Sequence, residues 1–149
     1  MIDKLIRERR SVRTYDARPL TPDDLQKLRE QIDQIDNPYQ IPVGFKLLDA
    51  KEHGLSSPVL CGDTLYVGGR IIPCEHWNEA FGYAFEKLIL AAQSLGLGTV
   101  WIGGTMNRAI FEQAMDLARW RSHALCDPRR LHRCKDVHPR RADAQGREG

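Results

Sequence analysis

The sequence predicts one mixed helix-and-strand domain over residues 1–118, followed by an irregular basic tail at 119–149. Three observations carry that expectation. Helical and extended patterns alternate along the first 118 residues. A long helix late in that stretch has a wide apolar face rich in small side chains. Periodicity and charge balance then change together after Ala118. A chain of 149 residues can bury one sizeable core, so one domain, or one incomplete domain, is expected.

Ile2, Leu5 and Ile6 stand at helical spacing and predict a short opening helix ending near Arg10. The next segment, SVRTYD, reads as extended. Thr21-Pro22-Asp23-Asp24 is a helix start: a Thr N-cap, Pro at the first helical position, and acids facing the positive end of the helix dipole. Leu25, Leu28, Ile32 and Ile35 form that helix's stripe, and Asn37-Pro38 stops it. Val43, Phe45 and Leu47 alternate with Gly44, Lys46 and Leu48 as a strand would. Two short β-prone stretches follow, Pro58–Cys61 and Thr64–Val67, with Gly62-Asp63 between them. From about His76 to Leu95, residues Phe81, Ala84, Phe85, Leu88, Ala91, Ala92 and Leu95 form one helical face on which another helix can approach closely. Gly96 suits the left-handed C-cap. Gly98–Ile102 reads as a buried strand broken by Gly103-Gly104, and a last helix is expected from about Asn107 to Ala118.

The hydrophobic share of 42% is ordinary for a globular protein. No apolar run approaches the roughly eighteen residues of a membrane span. The N-terminus, MIDKLIRERRS, lacks a signal peptide's apolar stretch, so the expected compartment is the cytoplasm, with no membrane partner. Cys61, Cys74, Cys126 and Cys134 form no CxxC pair, and Cys61 and Cys74 are expected to be buried or idle thiols. His53 and His76 are expected at the surface. Residues 1–118 hold 13 Lys and Arg against 16 Asp and Glu, a net −3; residues 119–149 hold 9 against 4, a net +5. A charge break of this kind marks a tail, a second module or an artefact.

Two segments could carry chemistry. In Glu8-Arg9-Arg10-Ser11-Val12-Arg13-Thr14-Tyr15-Asp16, arginine forks and a hydroxyl suit a phosphate dianion. The segment lies at a helix C-terminus, where the dipole disfavours anions, so side-chain charge would have to hold the phosphate. Clustered arginines are more often a solvated basic face. In Gly98-Thr99-Val100-Trp101-Ile102-Gly103-Gly104-Thr105, a buried strand ends in two glycines whose backbone N–H groups can approach a flat ligand. A glycine pair is more often a simple turn. Neither GxxxxGK[ST] nor GxGxxG is present, which argues against a phosphate-loop or Rossmann nucleotide site.

Taken together, ERRSVRTYD, the helix AFGYAFEKLILAAQSLGLG and TVWIGGT resemble the nitroreductase family in order and spacing, over roughly residues 2–118. The resemblance implies an α+β flavoprotein fold, a mainly antiparallel sheet flanked by helices, with FMN at the junction of two such units. It places Arg9, Arg10, Ser11 and Arg13 on the FMN phosphate and ribityl chain, and Trp101, Ile102, Gly103 and Gly104 beside the isoalloxazine ring. A backbone N–H near Gly104 would reach the flavin N5 edge. The implied activity is FMN-dependent oxidoreduction, from NAD(P)H to a nitroaromatic, a quinone or a similar small-molecule acceptor, with no catalytic acid or base supplied by the protein.

One stretch departs from the family. Many members carry Asn-x-Gln-Pro-Trp after the second helix, whereas residues 37–45 here read NPYQIPVGF. The resemblance is therefore to a branch in which two such halves are fused, of which this chain would hold the first.

The tail RWRSHALCDPRRLHRCKDVHPRRADAQGREG has three readings. Zinc ligation by His123, Cys126, His132, Cys134 and His138 has suitable ligand types but no paired knuckle spacing. A nucleic-acid arm has the charge but lacks aromatics beyond Trp120 and any helical register, so nucleic acid is disfavoured. The favoured reading is a change of frame just after Ala118. Joining the last two bases of each codon to the first of the next permits DGEVMPCVTPVGYTAAKMSIR across Arg119–Arg140. That string resembles the strand, turn and basic segment which follow the last helix in this branch, and it restores β-prone residues where the sheet needs a strand. A chain so altered would be incomplete: it would fail to bind FMN, or need a homodimer to do so. An inactive truncated fragment and a basic-tailed nucleic-acid-binding protein are thus the alternatives to the enzyme.

Overall fold

The computed structural model describes residues 1–117 together with the strand segments 136–137 and 140–141. Helix α1 spans Ile2–Glu8 and α2 spans Pro22–Asp33. Strand β1 (Val43–Asp49) leads through the short helix α3 (Ala50–His53) to β2 (Leu65–Ile71). Helix α4 (Trp77–Ser94) is followed by β3 (Leu97–Gly98), β4 (Trp101–Ile102) and α5 (Arg108–Ala114). Strands β5 (Asp136–Val137) and β6 (Arg140–Arg141) complete the described elements.

The expected start of α2 is present: the Thr21 hydroxyl accepts the Asp24 N–H at 3.1 Å, and Pro22 opens the helix. The helix ends at Asp33, slightly before Ile35. Gly96 takes the left-handed conformation expected of it, at φ 74°.

Strands β1 and β2 pair antiparallel over seven residues, from Val43 opposite Ile71 to Asp49 opposite Leu65. The sheet order is β1-β2-β5-β4, every neighbour antiparallel, and β3 pairs separately with β6. This is the α+β, antiparallel-dominated class that the sequence implied.

Side chains on the two faces of this sheet enter two cores. On one face Leu65, Val67 and Ile71 pack with Phe81, Phe85, Leu88 and Ile89 of α4 and with Leu28 of α2. On the other, Leu48 and Tyr66 pack with Val100, Ile102, Phe111 and Met115. Period-two alternation sends neighbouring β2 residues to opposite cores. Phe85 is fully buried and gathers the rings of Phe45, Phe81 and Trp101 at centroid distances of 5.0, 4.9 and 5.1 Å.

Several expectations need correction. Pro58–Cys61 is not a strand; it turns, and only Cys61 joins a bridge, to Thr14. The stretch beginning at Thr64 runs on to Ile71, through Gly68 and Gly69. Glycines weaken strands, but here close packing requires them. A Cβ on Gly68 would lie 2.0 Å from Met115 Sδ, and one on Gly69 would lie 2.1 Å from Phe85 Cε2. The strand expected at 98–102 is two short strands, because Thr99 turns aside to bridge Ser11. The last helix stops at Ala114, followed by Asp116 at φ 55°. Helix α3, capped by Asp49 and ended by Gly54 at φ 64°, gave no periodic signal because it is a single turn. Of the two alternatives for Cys61 and Cys74, buried or idle, burial does not hold, since both are free and exposed; His53 is half-buried where His76 is exposed.

Among the described residues no helix is long and apolar enough to cross a membrane, and no three His, Cys, Asp or Glu side chains are grouped to hold a metal ion. Trp120 and the five residues weighed as zinc ligands lie outside the described residues.

Candidate functional site

The arginine segment begins where α1 ends. Arg9 is the C-cap, already extended at φ −62° and ψ 132°, and its N–H donates to the Leu5 carbonyl at 2.9 Å. The chain then runs as an extended ribbon between two neighbours. The Val12 N–H donates to the Thr99 carbonyl at 2.9 Å, within a parallel bridge of Ser11 with Thr99. Further along, the Cys61 N–H donates to the Arg13 carbonyl at 3.0 Å, and the Tyr15 N–H donates to the Cys61 carbonyl at 2.8 Å. The buried Tyr15 folds its hydroxyl back onto the Val12 carbonyl at 2.5 Å.

The two segments singled out from sequence therefore meet. Residues at the N-terminus and the strand end near residue 99 share a backbone hydrogen bond. Neither Thr99 nor Cys61 could have been found by residue type, since both act through their main chains.

Arg10, Ser11 and Arg13 are exposed, and Arg9 is half-buried. Arg9 differs from the others in kind: its Nε and Nη2 are buried and have no hydrogen-bond partner. Among the described residues none of Arg9, Arg10 and Arg13 pairs with a carboxylate; Glu8 lies instead near Lys4, at 3.9 Å. An unsatisfied buried donor costs about 1–3 kcal/mol, more when it is charged. An arrangement that leaves a guanidinium in that state suits an incoming anion with two or more acceptor oxygens.

At the strand end, Trp101 is half-buried and Ile102 is buried. The indole leans on Phe85, and its N–H donates to the Glu86 carboxylate at 3.3 Å. Gly103 and Gly104 are exposed, and a Cβ on either would meet nothing within 4 Å. Their main chain is thus open to a flat partner. Beyond them the Ser57 hydroxyl donates to the Thr105 carbonyl at 2.8 Å.

The fold that carries these segments is α+β, with a mainly antiparallel sheet. The chain belongs to the nitroreductase family: the family model described as "Putative TM nitroreductase" matches residues 1–119. No curated protein matches it. Among solved structures it is similar to a nitroreductase family protein from Clostridium novyi NT, with 15% identity and a TM-score of 0.68, covering 100% of this chain and 89% of that one. It is also similar to an FMN-dependent nitroreductase from Clostridium difficile R20291, with 16% identity and a TM-score of 0.70, covering 95% and 88%. A nitroreductase with bound FMN from Bacteroides fragilis NCTC 9343 is similar at 21% identity and a TM-score of 0.61, covering 99% and 92%. At these identities the likeness is one of fold.

Proposed function

We propose that this protein is an FMN-dependent oxidoreductase in which Arg9, Arg10, Ser11 and Arg13 hold the FMN phosphate and ribityl chain. Trp101, Ile102, Gly103 and Gly104 flank the ring. The observation that carries this reading is the half-buried Arg9, whose guanidinium Nε and Nη2 are buried without a hydrogen-bond partner and would be satisfied by a phosphate dianion. The open backbone at Gly103-Gly104 fits the planar end of the same molecule. When bound, FMN supplies the redox chemistry, carrying electrons from NAD(P)H to a nitroaromatic, a quinone or a similar small-molecule acceptor. The protein's part is to bind and orient. The arginines neutralise the phosphate, Trp101 and Ile102 bound the ring, and a main-chain N–H near Gly104 stabilises negative charge at its edge. The family resemblance implies FMN at the junction of two such units, which supports a homodimer as the form that binds it.

Arg9→Ala should weaken FMN about 10- to 100-fold, the size of a charge-assisted phosphate contact. Binding of riboflavin, which has no phosphate, should stay within about twofold on the same scale. Flavin-fluorescence titration of the apoprotein measures both. Equal losses for FMN and riboflavin would remove Arg9 from the phosphate site.

A second reading concerns residues 119–149, and the family match ending at residue 119 favours it. We infer that the frame changes after codon 118 and that the in-frame product continues through a Val-Met-Pro-Cys-Val-Thr-Pro strand towards a second, similar unit. The charge break, the lost periodicity and the recoverable string support this. The gene sequence tests it: a +1 frame that does not encode that strand ends the idea. In that case the tail is native, and salt-sensitive retention on DNA or RNA, lost on deleting 119–149, is the measurement to make.

A further inference from the structure

The loop from Gly54 to Cys61 touches both halves of the candidate site. At its far end, Cys61 exchanges backbone hydrogen bonds with Arg13 and Tyr15. In its middle, Ser57 is 5% exposed and donates its hydroxyl to the Thr105 carbonyl at 2.8 Å, with Thr105 Oγ1 at 3.3 Å. The loop is itself braced. The Leu55 N–H donates to the Ala50 carbonyl at 2.8 Å, and the Leu60 N–H donates to the Ser57 carbonyl at 3.1 Å. Thr105 directly follows the exposed Gly103-Gly104 pair, two residues with no side chain to hold them. Upstream, Trp101 is seated on Phe85 and Glu86. Downstream, Ser57 supplies the tie.

We infer that Ser57 is a positioning residue for the ring end of the flavin site, holding the Gly103-Gly104 main chain in its binding geometry through the Thr105 carbonyl. The physical reason is entropic. Glycine peptides have the widest backbone freedom, so an untethered Gly-Gly loop must be ordered each time a ligand binds. A buried hydrogen bond to the next residue pre-orders it. Ser57 itself touches no ligand. The inference rests on the flavin reading given above.

The test uses apoprotein prepared as Ser57→Ala, Ser57→Cys and the exposed neighbour Ser56→Ala, titrated with FMN and with riboflavin. Ser57→Ala should weaken both flavins about three- to tenfold, the scale of one lost neutral hydrogen bond. It should also alter the visible circular dichroism of bound flavin. Ser57→Cys, with a weaker donor of similar size, should fall between, and Ser56→Ala should match the parent. In the apoprotein, amide exchange should quicken at Gly103 and Gly104 in Ser57→Ala while α4 keeps its protection. Unchanged flavin affinity and spectrum in a folded Ser57→Ala overturn the inference, as does an equal loss in Ser56→Ala. Should Ser57→Ala not fold, Ser57→Cys binding like the parent with unchanged amide exchange overturns it too. A parent chain that binds neither flavin sinks the flavin reading and this inference together. A loss confined to FMN points to the phosphate end and rules out Ser57 as a ring-end tie.

Discussion

Two glycine pairs in this chain look alike in sequence and serve opposite ends. Gly68-Gly69 lies inside β2, buried between two helices, where a Cβ on either residue would strike Met115 or Phe85. Gly103-Gly104 lies just past β4, exposed, where a Cβ would meet nothing. The first pair exists so that side chains can approach the sheet. The second leaves its backbone open, with no neighbouring side chain packed against it. A glycine pair is thus a statement about close approach, and the tertiary surroundings decide what approaches.

The largest effect should come from filling the first pair. Gly69→Val would displace Phe85, the fully buried ring on which Phe45, Phe81 and Trp101 converge, and should cost about 3 kcal/mol or leave the chain unfolded. Gly68→Ala meets the flexible thioether of Met115 rather than a ring, so about 1–2 kcal/mol is expected. Urea denaturation followed by circular dichroism ranks the two, and the reverse ranking would undo the packing account of β2.

Filling the second pair should do the converse. Gly103→Ala and Gly104→Ala should leave stability within about 0.5 kcal/mol, since neither position has a positive φ or a neighbour to strike. Gly104→Ala should nevertheless weaken flavin binding about tenfold, through loss of close approach to the ring edge. Loss of stability without loss of flavin would make this pair a structural turn.

The smallest effect concerns α4 away from the face that covers Gly69. Lys87 on this helix hydrogen-bonds and pairs with Asp36, and that partner holds the Asp36 carboxyl below the usual carboxylate range. A depressed carboxyl contributes stability at pH values above its unfolded pKa and loses it as pH falls through its folded pKa. Because the Asp36 carboxylate is exposed, solvent screens the pair. The acid dependence of the denaturation midpoint should be slightly shallower in Asp36→Asn, and a direct titration of Asp36 by NMR should give a midpoint below that of a free aspartate.

Much of this was readable from residue order. The Thr-Pro-Asp-Asp start of α2, the small-residue face of α4, the left-handed Gly96 and the alternation in β1 are local signals, set by dihedral preference and by periodicity along one element. The Arg-Arg-Ser-x-Arg segment and the glycine strand end stood out as candidates for the same reason: residue type limits what each can bind. The C-terminal half of β2 was not, because its glycines read as weak strand until Phe85 and Met115 are seen against them. Nor was the division of Gly98–Ile102, which follows from a bridge to a segment far away in the chain.

The sequence by itself determined the class of fold, the family and the two segments on which binding chemistry could rest, since these depend on local composition and spacing. Only the tertiary structure decided that the two segments meet at Ser11 and Thr99. It alone left Nε and Nη2 of Arg9 buried without a partner, and it alone set Ser57 against Thr105. Those are long-range matters of burial and backbone pairing, and no residue carries their signature until the chain has folded around it.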